Sequence, residues 1–506
     1  MLNFSTFHQK LPFSTKLSRQ LLVFFPIMIF TLEVIAQEDI RLPDLGDSSG
    51  AIISPEQEKR LSNAFLRELR RQAPMVDDEE ILSYLTQLGR SLANHADSDT
   101  EFKFCMIKSG VINAFAVPGG LICFHTGLLL ESQTEGELAS VMAHEISHVT
   151  QRHGARMMEA AKRLNIPTIA AMVASMALMA ANPDAGYAAL MATQAASAQY
   201  QINFTRSNEK EADSLGIKLL SETGFNPISM ADFFGRMQKA SRYSDPKFMP
   251  EYLRTHPLSV NRIAEARGRA LKLKPINIRP DSLLYGLVKA KLKVLAEENN
   301  PELVHYFDQK IEVTTGKNKL ASQYGRILAL RSIGDFDKAE EEIISLINLN
   351  AEELSFLLEA AKIYQLLNKY EIANKYYHKG YEMNSLSKAS VYGYVENLLI
   401  LKDAITAKKI LDDFKYEGEL SPKFYKLLAE VYNMLGNDAE SYMSLAEFYD
   451  SIGELPAAAE QLRLARSVPN LSNYNRLKIV ARLDDMERRL LEENKDPIMR
   501  RTRRFN

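Results

Sequence analysis

The sequence predicts an α+β half, mostly helical with a small antiparallel sheet, followed by an all-α solenoid of tetratricopeptide-like hairpins. Three observations lead there. Phe102, Phe104 and Met106 alternate with Lys103, Cys105 and Ile107, which is the period of a strand. Two further runs, "NAFAV" and "LICFH", flank Val117-Pro118-Gly119-Gly120; Pro before Gly is the chemistry of a type II turn, so they should pair as a hairpin. Beyond about residue 280 only helix-period segments remain, and Ala339, Ala373 and Ala407 recur at intervals of 34.

Taken in chain order, the first segment reads as a targeting signal. Lys10, Lys16 and Arg19 form a basic region, "LLVFFPIMIFTLEVIA" an apolar one, and Val34-Ile35-Ala36 a small-residue cleavage site. The apolar run is shorter than the roughly 20 residues of a membrane span. We therefore expect export, with a signal peptide over 1–36 and a polar linker over 37–53. Ser54, Pro55 and Gln57 then supply the N-cap, first residue and capping box of a helix. A second helix is expected over Glu79 to Asn94, and the strands follow it. Cys105 and Cys123 both fall in strands, and could either pair or remain buried thiols.

From Gly136 to Lys162 the pattern is helical. The segment from Asn165 to Thr205 carries one charge, Asp184, and reads as two apolar helices broken at Asn182-Pro183. They either pack inside the protein or form a Met- and Ala-rich hairpin that covers the active site or, over 165–200, touches a membrane or an unfolded client. In the repeats, Phe336 and Tyr370 precede their alanines by three residues, and Ala404 fills that place in the third copy; "LGNDAESY" and "IGELPAAA" fall off this phase. The expected units are an α+β domain over 54–275, repeats over 276–490 and a basic tail over 491–506. Hydrophobic residues at 46% allow a sizeable core, and a net charge of −2 gives no electrostatic footprint for nucleic acid.

The chemistry concentrates in His144-Glu145-Ile146-Ser147-His148. On a helix, residues four apart share a face, so both imidazoles can reach one ion. Glu145 sits about 100° round from His144, placed to meet a water rather than the metal. That is what a metallopeptidase needs, because zinc lowers the pKa of its water to about 7 and a carboxylate takes the proton. A third histidine six residues past the second would mark another subclass, and that position is Gly154. His153 is one residue short, and is read as a surface histidine. The third ligand is then sought in "SNEKEAD", where Glu209 and Asp213 share a helical face. One can bind metal while the other hydrogen-bonds a ligand histidine.

"NAFAVPGG", "HEISH", "NEKEAD" and "RTHPLSVNR", in this order, resemble the zinc metallopeptidase family that includes HtpX and the CAAX prenyl protease. The signal segment and the repeats place the resemblance with the exported members of that family. It implies one zinc ion per chain held by His144, His148 and Glu209, with Glu145 as general base and Asp213 supporting a ligand histidine. It also implies that Arg262 meets the oxyanion and that His256 can close the open zinc position. Asn113, Ala114 and Phe115 would lie on an edge strand to which an extended substrate adds, a mode that selects little by side chain.

The reading is therefore an exported, periplasmic zinc metalloendopeptidase. The resemblance implies that it degrades unfolded or stalled outer-membrane proteins and aids β-barrel assembly. Its repeats would hold a client or the barrel-assembly machinery. The rival is a chaperone or adaptor with a latent or structural zinc site; a structural site would have no use for Glu145, whereas His256 as a fourth ligand would give a closed, silent one. A membrane-embedded prenyl-protein protease is disfavoured, since only Asn165 to Asn182 approaches spanning length.

Overall fold

The computed structural model describes residues 53–157, 159–160, 205–243, 252–253, 256–273, 277–350, 352–415 and 420–495. The targeting segment, the linker up to residue 52, the apolar run over 165–200 and the tail from 496 lie outside the described residues. None of the described helices is long and apolar enough to cross a membrane.

Helix α1 (Pro55–Gln72) starts as its sequence dictates. The Ser54 hydroxyl accepts from the Gln57 backbone, and the Gln57 side chain returns the bond to Ser54. Helix α2 (Glu79–Ala93) is capped by Asp78 and buries Ile81, Leu85, Leu88 and Leu92. Strands β1 (Lys103–Ile107), β2 (Ala114–Val117) and β3 (Leu121–His125) form one sheet in the order β1-β3-β2. The hairpin is antiparallel, and Gly119 has the φ of 95° that the type II turn requires. A Cβ there would come within 2.2 Å of the Glu58 carbonyl.

The sheet differs from the expectation in one respect: it is mixed, because β1 runs parallel to β3. The chain leaves β1 for the far edge and returns through the hairpin, which makes the last strand central and sets its direction. Cys105 and Cys123 are direct partners across β1 and β3 and are joined by a disulfide.

After helix α3 (Thr126–Glu131) comes α4 (Glu135–Thr150), almost wholly buried, with Thr134 as N-cap. The helix expected through Lys162 does not run on. It ends at Thr150, and Arg152 adopts a left-handed φ of 50° before helix resumes at His153. The core around α4 includes Phe124, Leu138, Met142, Ile146, Phe233 and Phe234.

From Leu283 onward, twelve described helices form a series of antiparallel hairpins. Phe336, Tyr370, Ala404 and Asp438 each open a helix, 34 residues apart, and Ala339, Ala373 and Ala407 are fully buried. The expectation that "LGNDAESY" falls off phase is corrected. The backbone keeps its period there, with buried Ser441 at the alanine position and its hydroxyl donating to the Ala429 carbonyl. The period is clearest in the turns, where left-handed residues stand at Gly334, Asn368, Lys402, Gly436 and Asn470, each 34 after the last. At the first four, the next backbone N–H reaches back five residues to a helix carbonyl (Asp335 to Leu330, Lys369 to Tyr364, Asp403 to Leu398, Asn437 to Tyr432), a Schellman closure.

The repeats pack on the α+β part. Arg70 donates to the Ser451 carbonyl at 2.7 Å, Ser421 to Glu79 at 2.9 Å, and buried Lys291 pairs with Asp78 at 2.9 Å.

Candidate metal centre

Four side chains from three segments converge. Helix α4 supplies His144 and His148, the helix over 205–222 supplies Glu209, and His256 comes from the stretch before the Val260–Lys272 helix. Their ligand atoms all lie within 4.8 Å of one another. His144 Nε2 is 2.9 Å from His148 Nε2 and 3.2 Å from His256 Nδ1. Glu209 oxygens stand 3.1 Å from His256 Nδ1, 3.3 Å from His148 Nε2 and 3.5 Å from His144 Nε2. Atoms bound at 2.0–2.1 Å to a tetrahedral zinc ion would lie about 3.3 Å apart, so nitrogen and carboxylate donors here have the chemistry and spacing that zinc takes.

Glu145 is 1% exposed beside this cluster and donates no ligand atom to it. Its Oε1 makes no hydrogen bond among the described residues and faces His256 Nε2 at 3.4 Å. Burial pushes its pKa up, against the pull of His256 and His144. The two motif histidines are driven apart. Burial would lower His144, but the Asp213 and Glu209 carboxylates outweigh it and raise the pKa to about 9. Burial and the neighbouring His144 push His148 down to about 3. Glu209 is held well below the usual carboxylate range despite its burial, with His256 the leading opposing cause.

Asp213 stands behind His144, with Oδ1 at 3.0 Å from Nδ1. Arg262 grips Asp213 through Nε at 2.6 Å and Nη2 at 2.8 Å, and reaches Glu209 with Nη1 at 2.7 Å. It sits in the first turn of its helix, fixed by Ser259 as N-cap, and its guanidinium lies over the Phe234 ring at 4.8 Å. The arginine expected at the oxyanion thus holds two carboxylates in this structure.

Of the three residues expected to meet an extended substrate, Ala114 and Phe115 open β2 and Asn113 lies just before it. β2 is an edge of the sheet and packs beside α4. Asn113 and Ala114 are buried, while Phe115 is half-buried against Phe65 with ring centroids 6.0 Å apart. A cleft of about 320 Å³ lies between, lined by Phe115, Pro118, Glu145, His148, Glu209 and His256 among others.

Sequence reasoning missed two residues. Tyr252 stacks on His256 with centroids 4.8 Å apart and accepts its backbone N–H at 2.8 Å. No spacing rule flags it. His153 was expected on the surface, yet it is 3% exposed and lies 2.9 Å from His148, Nδ1 to Nδ1. That expectation assumed one unbroken helix, and the left-handed Arg152 breaks it. The turn is held by Arg152 donating to Glu58 at 3.0 Å and to the Ile53 carbonyl at 2.8 Å.

Fold and site together define a metallopeptidase. The model of peptidase family M48 matches residues 81–270. A Vibrio cholerae protein is 36% identical over 90% of this chain and 94% of its own. The β-barrel assembly-enhancing proteases of Escherichia coli and Yersinia pestis are 32% and 34% identical, over 90% and 88% of this chain and 93% and 92% of theirs. The chain belongs to the β-barrel assembly-enhancing protease family.

Proposed function

We propose that this chain is an exported zinc metalloendopeptidase that degrades unfolded or stalled outer-membrane β-barrel proteins and assists their assembly. The observation that carries the catalytic part is Glu145, a buried carboxylate whose Oε1 makes no hydrogen bond among the described residues, beside a metal-fitting cluster it does not join. A structural site would have no use for it.

In this reading His144, His148 and Glu209 hold the zinc. When bound, the ion supplies Lewis acidity for the scissile carbonyl and for a water. Glu145 Oε1 accepts that water's proton and passes it to the leaving amine, a task suited to a carboxyl whose pKa burial has raised. Substrate lies along β2, its backbone pairing with the strand edge, which suits clients whose own strands are unpaired. Arg262 holds Glu209 and Asp213 in place through its guanidinium, and Asp213 orients His144. His256 fills the fourth corner of the cluster, so the resting site is closed and must open for turnover.

The periplasm is supported by the signal-like segment and by the Cys105–Cys123 disulfide, which persists in oxidising compartments. The names of the relatives support the β-barrel clients, and the repeats offer a surface for client or assembly machinery. In this reading the metallopeptidase domain spans 54–275 and the repeats 276–490, with the last helix, Asn473–Lys495, running on into the basic segment, and the segment over 165–200 makes a peripheral membrane contact.

The test is hydrolysis of an unfolded casein-like substrate by residues 37–506, with Glu145→Gln and His256→Ala beside the unaltered protein and zinc content measured for each. The expected result is a zinc-loaded, inactive Glu145→Gln and a faster His256→Ala. A Glu145→Gln protein that cuts at the unaltered rate would end the proposal.

A further inference from the structure

The motif explains how His148 reaches the cluster but not what holds its ring. An imidazole that binds metal through Nε2 must carry its proton on Nδ1, and something must accept that proton. His148 Nδ1 faces His153 Nδ1 at 2.9 Å. His153 Nε2 in turn lies 3.2 Å from Glu211 Oε2. Arg156 donates to that same oxygen through Nη1 and Nη2, each at 3.2 Å, and to Asn208 Oδ1 at 3.2 Å.

One proton order satisfies every partner along this line. His148 Nδ1–H donates to the bare Nδ1 of His153, and His153 Nε2–H donates to Glu211. Arg156 then anchors the carboxylate. The reverse order would place the His148 proton on Nε2, aimed at His144 Nε2 2.9 Å away and at the cluster centre.

We propose that His153 is a positioning residue for His148: with Glu211 and Arg156 it fixes the tautomer and ring orientation in which His148 binds metal. The left-handed Arg152 turn is what delivers His153 to this place, since on a continuous helix it would point off the face. Gly154 completes the fit, because a Cβ there would come within 2.7 Å of Pro118 Cγ. The inference rests on His148 being a ligand, as argued above.

The experiment measures zinc affinity by competition with a chromophoric chelator on residues 37–506, together with the visible spectrum of the cobalt-loaded protein. The variants are His153→Ala, His153→Asn, Glu211→Ala and His148→Ala. His153→Ala should bind zinc about 10–100-fold more weakly, the usual effect of losing a partner of a ligand histidine. Its cobalt bands should shift. His153→Asn, whose amide oxygen can accept the same proton, should recover part of both. Glu211→Ala, at the half-exposed end of the line, should lose less affinity, and it reads the same effect if His153→Ala does not fold. His148→Ala should lose zinc outright, and if it does not, the ligand assignment itself fails. The positioning role is overturned if His148→Ala loses zinc while the folded His153 and Glu211 variants match the unaltered protein in affinity and spectrum.

Discussion

The metal centre and the repeats use the sequence in opposite ways. At the centre the side chains are the structure: His144, Asp213, Arg262 and Glu209 form one closed circuit of charge and hydrogen bonds, each at most 6% exposed along its side chain. In the repeats the backbone is the structure. The same left-handed turn position is filled by Gly334, Asn368, Lys402, Gly436 and Asn470 in succession, and the fold repeats regardless. A site that does chemistry has few substitutes for each group, whereas a stack of hairpins asks only that each copy turn and bury enough apolar surface.

If that contrast is right, the largest stability loss in the molecule should follow from opening the circuit. Arg262→Leu leaves Asp213 and Glu209 buried without their shared cation. It should cost about 3–5 kcal/mol, measured by urea unfolding of the metal-free protein. A loss below 1 kcal/mol would mean that the histidines alone balance those carboxylates. Asp213→Asn keeps the shape of its side chain but weakens the hold on His144, so zinc affinity should fall about 10–100-fold by chelator competition. An unchanged affinity would leave the ion pair with Arg262 as the only role of Asp213.

The same contrast explains what was legible beforehand. The HEISH pattern and the carboxylates of SNEKEAD are local in sequence, and helix geometry alone brings Glu209 and Asp213 onto one face. The strands, the hairpin turn and the capping box at Ser54 are local too, and each appears where its residues require. What depends on a non-local event was missed. His153 could be placed only by knowing that Arg152 turns left-handed, and that turn depends on Glu58 and Ile53, nearly a hundred residues earlier in the chain. The parallel pairing of β1 with β3 follows from which strand ends up central, and hydrophobic alternation does not encode that. In the repeats, the alanine period stopped at Ala407 because Ser441 can also be buried there once its hydroxyl finds the Ala429 carbonyl.

Within the repeats, packing should be less forgiving than turns. Ala339 and Ala373 are fully buried where two helices meet. Ala373→Leu forces extra volume into that contact and should destabilise by about 1–3 kcal/mol in urea unfolding, with zinc affinity unchanged. A change in zinc affinity would show that strain crosses from the repeats into the site, and the two regions could no longer be treated as separate.

The smallest expected effect tests the turns. Lys402 holds a φ of 64°, where a side chain is strained and glycine is not, while its Asp403 neighbour makes the helix-closing bond to the Leu398 carbonyl at 2.9 Å. Lys402→Gly relieves the strain of about 1–2 kcal/mol but adds freedom to the unfolded chain, so the net gain should be under about 1 kcal/mol. Gly334→Lys, the same exchange run backwards one repeat-pair earlier, should lose a similar amount. Equal and opposite shifts in urea midpoint would show that backbone conformation alone ranks residues at this position. If Lys402→Gly instead destabilises, the lysine side chain does something glycine cannot, and that repeat belongs with the site in depending on chemistry rather than on the turn.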